Sequence, residues 1–530
     1  MRARFSSRVM FVNTVRSLTL VLLCALAATA QSPDARIPGL KSEQGALEQK
    51  TARYFESLRK SPPQQLAFLL RMPKGGDLHN HLSGSIYAES YIQWAADNGL
   101  CVNNQTLALL VPPEKSNCDA KSNLRPASNA LTDYVLYRQM IDAWSMRNWQ
   151  LSGQSGHDHF FDAFVKFGPA TYGQIGRMIA EAASRAARGR VLYLELMLTP
   201  DGVASSQIGQ QVGWDGNANT TLSKLESAGI ANAAVAAVKT LHEAEVQKNQ
   251  LLKCGTEQAD PGCEVTIRYV SQVSRGGSLG AVFAQMVTGF TLANDPGSKV
   301  VGLNLVQGED GLGSMQNFSV HMRMLNALRT RYPQAHLTLH AGELAPGLVP
   351  PEGLTLHVRE SVMVAGAERI GHGVDIMHED EPPELLEEMA HRNVLVEICL
   401  SSNDLILGIS GSDHPLATYL QYGVPVALAT DDEGVSRSEI SREFLKAAQE
   451  QGLGYVQLKT MARNSLQYAF IAGGSLWKDA RKFVPVAQCA QDVAVIKLSS
   501  TGCRKYLEGS EKAKLQWKLE EDFRAFERAF

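Results

Sequence analysis

The chain has 530 residues, of which 44% are hydrophobic and 20% charged, a composition typical of a globular protein with a sizeable core. Its formal charge of −3 provides no basic excess, so composition argues against nucleic-acid binding. The length suits roughly two to four ordinary domains, and it also suits one α/β barrel with insertions.

Residues 1–30 have the pattern of a secretory signal peptide. Four arginines precede an apolar run from Leu18 to Ala28, and the small-residue pattern Ala28-Thr29-Ala30 ends the segment. The run is short for a bilayer span, with a membrane anchor or a buried helix as the alternative. We therefore predict cleavage after Ala30 and an exported protein, secreted or periplasmic, without a stable membrane anchor.

Residues 31–74 are expected to form a helical extension, and after it short β-rich runs alternate with segments of helical periodicity. The predicted strands are Asp77–His81, Val191–Met197, Val265–Val273, Val300–Val306, Leu337–His340, Arg369–Gly371, Val394–Cys399 and Val426–Ala429. Eight strands that alternate with helices predict one (β/α)8 TIM barrel over residues 75–475, rather than a series of small domains.

Three further segments fall outside this alternation. The polar loop around residues 98–130 and the stretch 200–230 have the character of insertions. Residues 476–530 are expected to form a C-terminal helical segment that packs on the barrel. The extension at 31–74 suits two roles, a contact in a homodimer or a cap on the bottom of the barrel, and the sequence leaves both open.

Six cysteines form three pairs that are close in sequence, separated by 17, 9 and 14 residues. Cys399 stands alone in the apolar run NVLVEICLSS, which is typical of a buried strand. Because an exported chain permits disulfides, locality predicts bonds for Cys101–Cys118, Cys254–Cys263 and Cys489–Cys503. Cys399 is then a buried free thiol. Six cysteines allow 15 pairings, and reduced pairs are the alternative.

Polar residues collect where five of the predicted strands end. They are His79 and His81, Gly308–Asp310, His340–Glu343, Gly371–Gly373 and Thr430–Gly434. Barrels of this class build their active sites at the carboxyl ends of the strands, where loops present side chains to a common mouth. Side chains two residues apart share a strand face, so His79 and His81 both point into that mouth.

Three imidazoles and one carboxylate from these strand ends make a donor set suited to zinc: His79, His81, His340 and Asp431. Zinc lowers the pKa of a bound water towards neutrality and so provides a nucleophile. Glu343 is placed to give a proton to a substrate, and His372 to handle the proton of the water. Asp432 points differently from Asp431, so we expect it to hydrogen-bond substrate. Each motif alone is more often structural, but the combination is hard to obtain by accident.

Five motifs carry a resemblance to a known family. MPKGGDLHNHLSGS, HAGE, ERIGHGVDI, VEICLSSN and HPLATYLQYGVPVALATDDEG occur in this order and resemble the adenosine deaminase family of the metal-dependent amidohydrolases, in particular its secreted growth-factor-like branch. The likeness covers roughly residues 70–475. It implies a mononuclear zinc hydrolase that converts adenosine or 2′-deoxyadenosine to the inosine product and ammonia.

The resemblance also implies roles for single residues. It makes His79, His81, His340 and Asp431 the zinc ligands. Glu343 matches the residue that protonates purine N1, and His372 the one that orients or deprotonates the metal-bound water. Asp432 matches the residue that faces N7, and Gly308 the backbone donor to N3. Ser83 stands where many intracellular relatives carry aspartate near the ribose, so recognition of the 5′-hydroxyl is expected to differ.

Two other functions remain open at this level. One is a related amidohydrolase that acts on adenine, a modified nucleoside or a nucleotide. The other is a catalytically silent protein that binds or signals.

A second histidine pair, His157 and His159, begins an aromatic helical pattern, and we expect it to form a lid or core in which Phe160, Phe161 and Phe164 pack near the pocket. His414, before Pro415, is expected to be structural.

Overall fold

The computed structural model describes residues 43–111, 118 and 123–530. The predicted signal peptide and residues 31–42 lie outside this part of the chain. None of the helices within the described ranges combines the length and the apolar character that a membrane crossing requires.

All eight predicted strands are present and form one sheet in which every neighbouring pair is parallel. Their order in the sheet is β1-β5-β6-β7-β8-β9-β10-β11. The strands in chain order are β1 (Gly75–His81), β2 (Cys101–Asn103), β3 (Leu109–Leu110), β4 (Leu124–Pro126), β5 (Val191–Leu198), β6 (Thr266–Ser274), β7 (Val300–Val306), β8 (His336–Ala341), β9 (Arg369–His372), β10 (Leu395–Ile398), β11 (Val426–Leu428), β12 (Trp477–Asp479) and β13 (Val484–Pro485).

Helices surround the sheet and connect its strands. They are α1 (Glu43–Ser57), α2 (Pro62–Leu69), α3 (Ala88–Asp97), α4 (Tyr134–Ala143), α5 (Gly156–Phe167), α6 (Ile175–Arg188), α7 (Ala204–Val212), α8 (Ala218–Ser227), α9 (Ala231–Leu251), α10 (Leu279–Ala293), α11 (Leu312–Arg329), α12 (His357–Glu360), α13 (Pro382–Arg392), α14 (Leu400–Leu407), α15 (Leu416–Tyr422), α16 (Glu433–Ser436), α17 (Ile440–Glu450), α18 (Tyr455–Gln467), α19 (Ala490–Val495), α20 (Thr501–Glu508) and α21 (Glu511–Glu527). The architecture is a (β/α)8 TIM barrel.

The first and last barrel strands meet at their carboxyl ends. The Asp431 N–H donates to the carbonyl of His79 at 2.8 Å, and the His81 N–H donates to the carbonyl of Asp431 at 3.0 Å. An isolated parallel bridge between Asn80 and Asp431 accompanies these bonds. The closure of the barrel therefore brings two histidines of β1 against an aspartate just beyond β11, although about 350 residues separate them in sequence.

The segments predicted as insertions are more regular than expected. The loop around 98–130 carries a small antiparallel sheet in which β2 pairs with both β3 and β4. Val102 and Leu109 are buried there, so this sheet has an apolar side of its own. The stretch 200–230 folds into α7 and α8. The C-terminal segment contains the β12–β13 hairpin as well as helices, a feature that the helical prediction missed.

The cysteine predictions are confirmed. The structure joins Cys101 to Cys118, Cys254 to Cys263 and Cys489 to Cys503. Cys399 is buried and unpaired. The disulfide at Cys101 ties the beginning of the small antiparallel sheet to residue 118.

The two ends of the described chain pack together on α18. Lys459 of that helix is buried, and its ammonium binds Glu48 of α1 at 2.7 Å and Glu527 of α21 at 2.6 Å. Near the start of β1, the hydroxyl of Ser465 in α18 accepts a hydrogen bond from the Gly76 N–H at 2.7 Å. These helices thus lie near the amino-terminal end of β1, away from the strand ends that carry the histidines. A homodimer through residues 31–74 stays a prediction.

Candidate active site

Four donor atoms from β1, β8 and the end of β11 converge on one point. The Nε2 atoms of His79 and His81 each lie 3.1 Å from Nε2 of His340. Oδ1 of Asp431 lies 3.4 Å from Nε2 of His79 and 3.3 Å from that of His81. Donors bound at about 2.0–2.1 Å to a tetrahedral zinc ion are about 3.3 Å apart. The group therefore has the size and donor types of a zinc site.

The outer nitrogens of the three histidines each have a partner. Nδ1 of His79 lies 2.7 Å from Oε2 of Glu397, and Nδ1 of His340 lies 2.8 Å from Oδ1 of Asn304. Nδ1 of His81 lies 2.6 Å from the side-chain amide of Gln272. Because the first two partners are oxygen acceptors, His79 and His340 carry their protons on Nδ1. Their Nε2 atoms then face each other at 3.1 Å and need a shared positive charge between them, which a proton on one ring or a metal ion supplies. This observation fits a bound metal.

Charge and burial at the cluster favour the same conclusion. Burial lowers the pKa of His81 to about 4 and the pKa of His340 well below its usual range, so both are neutral, as metal ligands are. Burial also disfavours the charged form of His79, but hydrogen bonds to Asp431 and Glu397 raise its pKa to about 10. The carboxylates thus favour a positive charge at this point.

A second group of possible donors shares two members with the first. His79, His372, Cys399 and Asp431 also lie within bonding reach of a common point. Burial, followed by the charge of Asp431, raises the pKa of the Cys399 thiol well above its usual range. A protonated thiol is a poor ligand, so the group of three histidines and Asp431 is the better site.

Two backbone features shape the cluster. His372 and Asp431 have positive φ angles of 69° and 58°, which non-glycine residues seldom adopt and which concentrate at functional sites. Gly371 precedes His372 because a Cβ at this position would lie 2.6 Å from Cε1 of His79. Gly84 is likewise required, since a Cβ there would lie 1.5 Å from Oδ1 of Asp432. The two glycines make room for the His79 ring and the Asp432 carboxyl.

Glu343 is positioned by Glu309, a member of the predicted polar group Gly308–Asp310 that was given no role from the sequence. Oε2 of Glu309 accepts from the Glu343 N–H at 2.8 Å, and Oε1 of Glu309 accepts from the Gly342 N–H at 3.1 Å. Burial, together with the charges of Asp431 and Glu309, raises the pKa of Glu343 to about 8. The Glu343 carboxyl is therefore mostly protonated at neutral pH and able to donate a proton.

The cluster opens into a cavity of about 400 Å³ beside helix α5. Its lining residues are His81, Ser83, Phe160, Phe161, Phe164, Val165, Gln272, Val306, Gln307, His340, Glu343, Asp431 and Asp432. One side is aromatic and aliphatic, and the polar groups gather at the metal-site end, a combination typical of small-molecule sites. The expected placement of Phe160, Phe161 and Phe164 near the pocket is confirmed.

The remaining predicted residues lie in or beside this cavity. Oδ1 of Asp432 is buried and has no hydrogen-bond partner among the described residues. Burial and the neighbouring Asp431 raise the pKa of Asp432 well above its usual range. His372 lies 3.7 Å from Glu343, measured from Nε2 to Oε1. Gly308 follows the lining residue Gln307 and is adjacent to Phe161, at the edge of the cavity rather than in its wall.

The comparison with protein families decides the assignment. The family described as Adenosine deaminase matches residues 158–475. The chain belongs to the adenosine deaminase family. It is thereby a hydrolase that acts on adenosine-like substrates.

The chain is also similar to curated relatives and to solved structures, over different shares of their length. An adenosine deaminase of Salmonella heidelberg (strain SL476) is 26% identical over 75% of this chain and 94% of its own length. One of Serratia proteamaculans (strain 568) is 37% identical over 27% of this chain, a match that spans 40% of that relative. Arabidopsis ADAL complexed with IMP has 20% identity and a TM-score of 0.49, covering 76% of this chain and 93% of that one.

The sequence did not point to the residues that orient the histidines. They are Gln272, Asn304 and Glu397, and each lies inside a barrel strand; Asn304 and Glu397 have apolar neighbours on both sides. A polar side chain within an otherwise apolar parallel strand is unusual, since such strands are buried on both faces. That feature was the available signal for these residues of the candidate site.

We predict that Glu397→Gln weakens metal binding. The amide has one acceptor oxygen instead of two and no charge, so it holds the Nδ1 proton of His79 less firmly, and loss of such a partner costs about 10- to 100-fold in metal affinity. Competition between the protein and a zinc-binding dye measures the change. Glu443→Gln, which alters another buried carboxylate without a histidine contact, is the control. Equal affinity for the Glu397 variant and the native chain would contradict the assignment.

Proposed function

We propose that the chain is a zinc-dependent adenosine deaminase that hydrolyses adenosine and 2′-deoxyadenosine to inosine or 2′-deoxyinosine and ammonia. The observation that carries this proposal is the convergence of the metal-donor group, the buried Glu343 carboxyl and the Asp432 carboxyl on one cavity. Membership of the adenosine deaminase family supports it. His79, His81, His340 and Asp431 would hold the zinc ion.

A zinc ion at this position would supply a water of lowered pKa, about 7 instead of about 16. Glu343 donates its proton to N1 of the purine, which draws electrons from C6. The oxygen of water forms a bond to C6, and the bond from C6 to the amino nitrogen then breaks. Of the two protons of that water, one returns the Glu343 carboxylate to its acid form and the other is taken up by the amino group, which leaves as ammonia, and the purine keeps the oxygen at C6.

Other cavity residues orient the substrate. N7 of an adenine base accepts hydrogen bonds, and the raised pKa of Asp432 favours the protonated carboxyl, whose buried oxygen can then donate to N7. The Gly308 N–H is assigned to N3 of the purine by its position at the end of β7. Ser83 lines the cavity and is assigned to the ribose, where its neutral hydroxyl makes a weaker contact than a carboxylate would.

The cavity lining favours a nucleoside over a nucleotide. None of the described residues that line it is lysine or arginine, and several are acidic. A phosphate group brought into this cavity would lose water without gaining a cation, which is costly. Free adenine, the other alternative, would leave the ribose-side hydroxyl of Ser83 without a substrate partner. We therefore propose a purine nucleoside as the substrate.

The activity itself gives the first test. The zinc-loaded protein is expected to release ammonia from adenosine, and Glu343→Gln to lower kcat by about 100-fold or more because the amide has no acidic proton. Product chromatography and an ammonia assay measure both. Glu387→Gln, an exposed change on α13, is the control. An inactive native protein with every 6-aminopurine, or full activity in the Glu343 variant, would contradict the proposal.

Substrate choice gives the second test. We expect kcat/KM for AMP to be at least about 100-fold below that for adenosine, equivalent to about 2.7 kcal/mol, because the cavity offers the phosphate no cation. Free adenine is expected to be poorer than adenosine as well. Parallel kinetics with the three compounds measure the ratios. A preference for AMP or adenine would contradict the nucleoside assignment and make that compound the substrate. The proposed deamination at C6 would be unaffected.

We also propose that the protein is exported, since three disulfides accompany the N-terminal signal pattern and disulfides persist in oxidising compartments. The mature chain is expected to begin at Gln31. Mass spectrometry of the protein recovered from the periplasm or medium measures its N-terminus, and Ala28→Arg, which alters the cleavage pattern, should block processing. A mature protein that retains Met1 would contradict export through this signal.

A further inference from the structure

A buried chain of hydrogen bonds links a backbone amide to His372. The Leu416 N–H donates to Nδ1 of His414 at 3.2 Å. Nε2 of His414 lies 3.1 Å from Oδ1 of Asn403, and Nδ2 of Asn403 lies 2.9 Å from Nδ1 of His372. His414, Asn403 and His372 are 2%, 0% and 0% exposed. Water therefore has little access to alter these bonds.

The direction of the whole chain follows from its first donor. A backbone N–H can only donate, so Nδ1 of His414 carries no proton. Burial and the nearby Lys446 lower the pKa of His414 to about 4, so its ring is neutral and its single proton is on Nε2. That N–H donates to Oδ1 of Asn403. The amide NH2 of Asn403 then donates to Nδ1 of His372, which is left as an acceptor.

The reverse direction is chemically inconsistent. If the oxygen of Asn403 faced His372, its NH2 group would face Nε2 of His414 and require a lone pair there. The proton of the neutral His414 ring would then be on Nδ1, where it would meet the N–H of Leu416. Two donors would oppose each other at 3.2 Å in a buried position. Leu416 therefore excludes this arrangement.

We propose that His414 and Asn403 are positioning residues that hold His372 in the tautomer with its proton on Nε2. That nitrogen faces the metal-site end of the cavity, 3.7 Å from Oε1 of Glu343, and has no hydrogen-bond partner among the described residues. His372 therefore donates a hydrogen bond to the oxygen that adds to C6, and does not act as the base. Only this last assignment rests on the proposed deaminase function.

The tautomer can be observed directly by nitrogen NMR. In the full-length, zinc-loaded protein labelled with 15N-histidine, the ring signals of His372 are identified by their loss in His372→Gln. We expect a protonated Nε2 and an unprotonated Nδ1. A protonated Nδ1, alone or together with Nε2, would overturn the proposal. This measurement needs no turnover, so it separates a failure of the proposal from a failure of the deaminase assignment.

Asn403→Asp tests the effect of reversing the last hydrogen bond. The carboxylate can only accept, so it requires a proton on Nδ1 of His372 and removes the neutral Nε2–H tautomer. We expect kcat to fall by about 100- to 1000-fold, the cost of losing a donor to a developing oxyanion, with less than about 3-fold change in KM and an unchanged zinc content. Native kcat together with a His372 proton moved to Nδ1 would overturn the donor role.

A matched pair at His414 separates positioning from packing. His414→Gln keeps an N–H that can donate to Asn403, whereas His414→Leu fills similar space without a donor. We expect the glutamine variant to retain at least about one tenth of kcat and the leucine variant to lose about 10-fold more. Both variants are compared for zinc content and melting temperature. Equal kcat in the two variants would show that His414 only fills space and would overturn the proposal.

Discussion

The convergence of buried Nε2 lone pairs is the interaction on which the rest of this structure depends. The Nε2 atoms of His79 and His340 face each other at 3.1 Å, with the Asp431 carboxylate beside them, and a positive charge shared between them makes that arrangement favourable. The barrel topology is what brings these side chains together, because β1 meets the end of β11 as the sheet closes. The closure of the barrel therefore also assembles the candidate metal site.

A line of buried charge extends from the site through the barrel interior. Glu397, which holds the Nδ1 proton of His79, also pairs with Nε of Arg369 at 2.6 Å. Arg369 binds Glu195 on its other side, and both carboxylates are fully buried. Buried ion pairs contribute little to stability by themselves because desolvation offsets their attraction. Their role in this protein is orientation, since they hold the Glu397 carboxylate that orients His79 of the candidate metal site.

Local sequence patterns were enough to predict the barrel strands and the residues at their ends. Apolar runs bounded by polar residues identify β1 and β8, and the functional histidines occupy conspicuous positions in them. The partners of those histidines could not be predicted in the same way, since Glu397 lies 318 residues from His79 and meets it only through strand order. His414 looked structural for a related reason: its link to His372 passes through Asn403. The small sheet β2–β4 was missed because its strands are only two or three residues long.

The most direct test of the central claim is to locate the metal. Crystals of the protein as purified, measured on both sides of the zinc absorption edge, are expected to show one anomalous peak per chain, bonded to Nε2 of His79, His81 and His340 and to Asp431. Elemental analysis of the same sample should give one zinc ion per chain. A protein that binds no metal at this position after loading with zinc, or binds it through Cys399 instead, would contradict the account.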